Sequence, residues 1–333
     1  MKILARWLAV IALVVSPSAW AAGGSYSGLV VFGDSLVDSG NAYLATSGGV
    51  AKPADGYYAG RFSNGFNFAD YLSDMISGTP ATALFAGGRN MAVGGALAAY
   101  SPSETSPSFV RQIAYYNMMV GTPIDSNALV LITFGGNDVR DTITTGGAVS
   151  FQSAIDSFTY ALGQLYTLGA RNVVIVGSPD IGALPASAAV AAAVPGRLAE
   201  LTARSQQINA TLQGISAAFG TMPGVESNYF DLFGYEQALL ANPAAFGLPS
   251  TLNTTKPCQI AGGGSPQLAN CSNALYFDAI HPTTQVHQAI ATAIAAQLGI
   301  SAVPEGQVWV MLILGVGMVG ASQRRRRAVA ALA

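Results

Sequence analysis

Only two histidines occur in the chain, His281 and His287, so chemistry that needs an imidazole has few places to go. His281 stands in Asp278-Ala279-Ile280-His281-Pro282-Thr283, with a carboxylate three residues before it. That spacing lets Asp278 fold back in one turn and hold the imidazole. A serine at its free pKa is a poor nucleophile; it needs a base, and the base needs an orienting partner. Ser35 is the candidate for that role. It follows Val30-Val31-Phe32-Gly33-Asp34, in which the apolar run from Leu29 to Phe32 reads as a buried strand that breaks at Gly33. A side chain just past the C-terminal end of a strand in an open α/β sheet sits where such folds place their ligands. Gly-Asp-Ser is also ordinary turn chemistry, in which Asp or Ser caps the next helix.

Two further stretches carry groups that suit a site where negative charge develops. The glycines of Asn90-Met91-Ala92-Val93-Gly94-Gly95-Ala96 let the backbone approach a substrate and point an N–H at it. Gly95 is the expected donor, with Gly94 as the alternative. The apolar run from Ala128 to Phe134 reads as a central parallel strand, and it ends at Gly135-Gly136-Asn137-Asp138. The Asn137 amide can donate to a developing negative charge without titrating, while Asp138 is expected to bond nearby backbone. No G-x-S-x-G occurs, which counts against a nucleophile elbow of the α/β-hydrolase type.

Gly33-Asp34-Ser35-Leu36, the Asn90 to Ala96 stretch, Gly135-Gly136-Asn137-Asp138 and Asp278 to Thr283 come in an order that resembles the GDSL-type esterases and lipases of the SGNH hydrolase superfamily, over about residues 29 to 300. The resemblance implies an α/β fold: a flavodoxin-like three-layer sandwich around a central, mostly parallel five-stranded sheet. It implies a serine esterase or lipase that hydrolyses carboxylic esters through an acyl-enzyme, with Ser35, His281 and Asp278 as the triad. The oxyanion would be held by the N–H groups of Ser35 and Gly95 and the side chain of Asn137. No cofactor and no metal are implied, and the substrate would be a small-molecule, lipid or acylated-glycan ester. Two other readings stay open: a carbohydrate O-acetylesterase acting on extracellular polysaccharide, and a non-catalytic surface binding protein. Arg61-Phe62-Ser63-Asn64-Gly65 recurs in bacterial members, and reads equally as part of the active-site mouth or as a rigid turn into the next helix. His287 is given no catalytic role.

The elements that must position these groups follow the hydrophobic pattern. Helices are expected over 66–76, 109–119, 151–168 and 284–298, with strands at 83–85, 172–176 and 225–231. An Ala-rich helical region covers 186–219, and residues 242 to 275 read as irregular.

The two ends read differently. Lys2 and Arg6, the apolar run Leu8 to Val15 and Ala19-Trp20-Ala21 resemble a secretory signal peptide over residues 1–21, cleaved before Ala22. Residues 22–302 form the hydrolase domain. In residues 303–333, Val303-Pro304-Glu305-Gly306, an apolar run from Val308 to Ala321 and Arg324 to Arg327 resemble the PEP-CTERM sorting tail of Gram-negative bacteria, with glycine at the usual second proline. A permanent membrane anchor is the alternative, though the run is short for a span. The expected location is secreted or at the cell envelope, with export machinery and a C-terminal sorting protease as partners. Between Ala22 and Val303 stand nine basic and sixteen acidic side chains, a net charge near −7. A domain so acidic, without a basic cluster, argues against nucleic acid as a partner. Cys258 and Cys271, the only cysteines, flank a Gly/Ser/Pro/Asn-rich loop. In an exported chain they are expected to pair, contributing on the order of 3 kcal/mol in the chain-entropy picture.

Overall fold

The apolar runs that the sequence sets just before Ser35 and Asn137 pair as neighbours in one parallel sheet. The structure, a computed structural model, describes residues 26–144, 151–259 and 271–300. The expected signal peptide and sorting tail lie outside the described residues. Strands β1 (Leu29–Gly33), β2 (Leu129–Thr133), β3 (Asn172–Val176) and β4 (Glu226–Phe230) run parallel in the order β1-β2-β3-β4. All of β2 and nearly all of β1 and β3 are buried. Strands covered on both faces are the mark of an α/β sandwich and explain the continuous apolar runs.

Among the described residues the sheet has four strands, not the five expected. The missing position is the outer side of β1, where residues 89–93 run alongside: Val31 donates to the Arg89 carbonyl at 3.0 Å, Met91 to Val31 at 2.7 Å and Val93 to Gly33 at 3.1 Å. The segment makes only an isolated bridge because Asn90 bends it. The Asn90 side chain accepts from the N–H of Ala92 and donates to the Val37 carbonyl and the Ser39 hydroxyl. Such local side-chain bonding competes with a regular ladder. The strand expected at 83–85 is instead a 3-10 turn, Leu84–Ala86.

The helices are α1 (Asn41–Ala45), α2 (Phe68–Ser77), α3 (Phe109–Tyr115), α4 (Gly136–Thr144), α5 (Gln152–Thr167), α6 (Pro185–Ala191), α7 (Arg197–Phe219), α8 (Leu232–Ala241) and α9 (Thr284–Gln297). Helix α2 packs on α9 and on β1, while α3 packs on β1 and α5. Phe109 of α3 centres an aromatic core, 5.7 Å from Phe32, 4.9 Å from Phe134 and 5.2 Å from Phe158. The Ala-rich region is two helices, because Pro195 and Gly196, the latter at φ +82°, break it. Helix α2 begins with a reciprocal capping box between Asn67 and Asp70.

Candidate active site

The last residues of the strands are in register, Gly33 beside Thr133 and Thr133 beside Val176, so the turns that follow open at one end of the sheet. After β1 the Asp34 carboxylate accepts the Leu36 N–H at 3.0 Å and the Asp34 carbonyl accepts Val37 N–H at 3.2 Å. The turn chemistry and the presentation of Ser35 are therefore one device. Burial pushes the Asp34 carboxyl up to about 6, against the pull of the Leu36 N–H. The start of the turn is clamped by Gln112 of α3, fully buried, which accepts the Gly33 N–H at 2.9 Å and donates to the Gly33 carbonyl at 2.8 Å. A Cβ at position 33 would lie 2.8 Å from the Thr133 carbonyl oxygen, so only glycine lets the turn pass this close to β2.

The second half of the site comes from the loop before α9. His281 Nε2 lies 2.7 Å from Ser35 Oγ. On the other side of the ring, Nδ1 lies 2.8 Å from Oδ2 and 3.0 Å from Oδ1 of Asp278. Asp278 folds back as its spacing implies, its Oδ1 accepting the N–H groups of Ile280 at 2.8 Å and His281 at 2.7 Å. Burial alone would raise the Asp278 carboxyl; the neighbouring imidazole and those N–H groups outweigh it and hold the group down to about 2. An ionised Asp278 only accepts, so Nδ1 carries the proton and Nε2 is left to take one from Ser35.

A fourth donor to Asp278 is Tyr57, whose hydroxyl donates to Oδ2 at 2.9 Å. Burial and the Asp278 charge push its ionisation up, so it remains a donor at neutral pH. Its ring packs edge-on against Phe277 at 5.0 Å. Sequence reasoning missed Tyr57 and Gln112. They reach their partners across 221 and 79 residues, and no local pattern announces such a contact.

The expected oxyanion donors come together through hydrogen bonds between blocks. Gly94 is committed elsewhere: its N–H goes to Asp38 Oδ2 at 2.9 Å, and a Cβ on it would collide with the Phe62 ring. Gly95, exposed and at φ +81°, has an N–H with no acceptor among the described residues. Asn137 donates one amide hydrogen to the Ala96 carbonyl at 3.0 Å and accepts from Arg140 at 3.3 Å, which leaves its second hydrogen for a ligand. Asp138 accepts the N–H groups of Ala98 and Ala99 at 2.9 and 3.0 Å, the structural role expected of it.

The Arg61 to Gly65 segment is both a rigid turn and a wall of the site. Arg61 forms a two-pronged, buried ion pair with Asp70 at 2.7 and 3.0 Å. Phe62 lies against the His281 ring, centroids 5.1 Å apart. Ser63 donates to the Pro282 carbonyl and Asn64 accepts the Thr284 N–H, both at 2.9 Å, so the turn braces the histidine loop on both sides. His287 lies in α9, fully buried beside Phe68 and pushed down to about 3 by burial, a neutral core side chain. Cys258 and Cys271 form the expected disulfide. Cys258 and Gln259 donate to the carbonyls of Tyr276 and Phe277, so the bridge steadies the approach to Asp278. Among the described residues, no group of three or more His, Cys, Asp and Glu side chains is placed to hold a metal.

The GDSL-like Lipase/Acylhydrolase family model matches residues 29–294, about four-fifths of the chain and all of the blocks above. A GDSL esterase/lipase of Arabidopsis thaliana is 29% identical over 319 residues, covering 78% of this chain and 84% of its own. Another from the same plant is 26% identical over 310 residues, covering 80% and 88%. Among solved structures, a catalytic mutant of an acetylxylan esterase from Geobacillus stearothermophilus overlays with a TM-score of 0.46 and 14% identity, covering 84% of this chain and 98% of its own.

Proposed function

The chain belongs to the GDSL-like lipase/acylhydrolase family and hydrolyses ester bonds, and from that premise we propose that Ser35 is its nucleophile, His281 its general base and acid, and Asp278 the carboxylate that orients the base. The single observation that carries the assignment is the unbroken relay from Ser35 Oγ through His281 to Asp278, with contacts of 2.7 and 2.8 Å. Ser35 Oγ attacks the ester carbonyl carbon while its proton passes to His281 Nε2. The carbonyl oxygen, now negative, is held by the N–H groups of Ser35 and Gly95 and the free amide hydrogen of Asn137. The intermediate collapses, the carbon–oxygen bond to the alcohol breaks, and His281 gives the departing alkoxide its proton. Water then loses a proton to His281 and attacks the acyl-enzyme, releasing the acid and restoring Ser35. Asp278 stays ionised throughout and stabilises the imidazolium.

The setting belongs to the same proposal. Residues 1–21 direct export, and residues 303–333 act as a sorting tail cut by a membrane protease or as an anchor, which places the enzyme outside the cytoplasm of a Gram-negative cell. A purely binding role would leave one of Ser35, Asn137, Asp278 and His281 dispensable, yet all four are present.

The test is hydrolysis of p-nitrophenyl esters of rising acyl length by the wild type and Ser35→Ala. Turnover that vanishes in the variant while its thermal unfolding is unchanged supports the assignment. Full rate in the variant sinks it. Activity confined to acetate would move the substrate towards acetylated polysaccharide.

A further inference from the structure

Asn137, the side-chain donor assigned to the oxyanion, is held at both ends of its amide. Nδ2 donates to the Ala96 carbonyl at 3.0 Å, and Oδ1 accepts from Arg140 Nη1 at 3.3 Å. The two partners agree on which way the amide points, because a carbonyl takes only its NH2 end and a guanidinium only its oxygen end. The same two contacts therefore fix where the second Nδ2 hydrogen lies. Arg140 stands one turn after Asn137 on α4, partly buried. Long side chains on a helix lean back towards its N-terminus, which carries the guanidinium over the end of α4 that follows β2. Among the described residues Arg140 makes no ion pair, so its charge is not spent on a carboxylate. The Asp34 carboxyl, raised chiefly by burial, is pulled down by both His281 and Arg140, which puts the guanidinium within electrostatic reach of the residue beside Ser35.

An amide is a conjugated dipole. A positive charge at its oxygen draws electron density from its nitrogen and strengthens the N–H as a donor. A neutral ester carbonyl gains little from that, while a full negative charge on the same oxygen gains more, so the benefit falls on the transition state. A guanidinium keeps its charge at every working pH, so the benefit does not titrate. We propose that Arg140 is a positioning residue for ester hydrolysis, its guanidinium locking and polarising the Asn137 amide so that the free Nδ2 hydrogen meets the oxyanion as a stronger donor. The proposal rests on the assignment of Asn137 to the oxyanion above.

The test is a double-mutant cycle in the full-length protein, with p-nitrophenyl acetate as substrate. Losing a whole oxyanion donor costs about 10²–10³ in rate, so Asn137→Ala should fall by that much. Weakening the donor costs a part of it: Arg140→Met lowers kcat by about tenfold and leaves KM within about twofold. Arg140→Gln, neutral but with a polar tip, gives the same fall and guards against a folding defect in the first variant, as does thermal unfolding of each. Arg140→Lys, which keeps a positive donor, stays within about threefold of wild type. In the Asn137→Ala background Arg140→Met changes kcat by less than about twofold, because the amide it acts through is gone. A tenfold fall in both backgrounds overturns the proposal, as does an unchanged kcat, a fall expressed in KM alone, or a lysine variant no better than the methionine one. Full rate in Asn137→Ala overturns instead the oxyanion assignment underneath.

Discussion

Asp278 receives more donors than orientation of one imidazole requires: His281 Nδ1, two backbone N–H groups and the Tyr57 hydroxyl. The backbone pair and the tyrosine hold the carboxylate beside the imidazole, so under the proposed triad Tyr57 is a positioning residue. Tyr57→Phe removes one hydrogen bond to a charged group and keeps the ring contacts with Phe277 and Phe62. A bond of that kind contributes about 1.5–3 kcal/mol, and part of it is expressed in the barrier. The expected result is a fall in kcat of about tenfold with KM little changed; an unchanged kcat would show that the backbone donors suffice. The carboxyl of Asp278 is held at about 2, below its ordinary 3.8. A depressed acid stabilises the fold above its unfolded value, and that contribution is lost as pH falls through its folded value. Asp278 therefore stays ionised across the working range, so a loss of rate well above that value is not loss of its charge. A rate that holds until about pH 2 would transfer the base role to the carboxylate. The meeting of Ser35, His281 and Asp278 was legible because its signals are local, a strand end followed by serine and an acid three residues before a histidine. Tyr57 was not, because its meaning depends on a loop more than two hundred residues away.

At the scale of elements the site is a junction of turns at the strand ends, braced from outside. Helix α9 begins at the histidine loop and is held there by Asn64 and by Thr284, whose hydroxyl donates to the Phe66 carbonyl. One turn into α9 stands His287, buried and held neutral, with Nδ1 lacking a partner among the described residues. Its folded value, about 3, lies below the ordinary 6.5. Between those values the unfolded chain binds a proton that the native state refuses, so this group removes stability as pH falls from 6.5. The slope is about 1.4 kcal/mol per pH unit. His287→Leu abolishes the term, so the stability difference between variant and wild type should shift by about 2 kcal/mol in the variant's favour between pH 6.5 and 4.5. Denaturant unfolding at both pH values measures it; a constant difference would mean that His287 is protonated in the fold. Opening the Cys258–Cys271 bridge by Cys271→Ala is expected to cost about 2–4 kcal/mol in the oxidised protein. Strands β2 and β3 and helix α9 stand within a residue or two of where the hydrophobic pattern sets them. The fifth strand, expected at 83–85, failed because that apolar stretch turns as a 3-10 helix, Leu84–Ala86, while the segment beside β1 is 89–93, which Asn90 bends. Helix α8 was missed although its cap is written in the sequence: Asp231 accepts the Gly234 N–H at 3.0 Å, just ahead of an apolar run.

The chain has net charge −2, but the segment from Ala22 to Val303 is near −7, because the ends carry a surplus of basic side chains. Among the described residues no helix is long and apolar enough to cross a membrane; the proposed sorting signal or anchor is the separate apolar run from Val308 to Ala321. The three tryptophans, Trp7, Trp20 and Trp309, all fall in the segments proposed to be cut away. Loss of both ends therefore leaves an active esterase with tyrosine and phenylalanine as its only aromatic residues besides histidine. Excited at the red edge of the aromatic band, where tyrosine does not absorb, the protein recovered outside the cell should be dark, while the uncut chain fluoresces. Emission from the recovered enzyme would mean that one end is kept, and intact mass distinguishes which. Retention of Trp309 would favour a permanent anchor over a sorting signal. Retention of Trp7 and Trp20 would mean that the proposed cut before Ala22 does not occur.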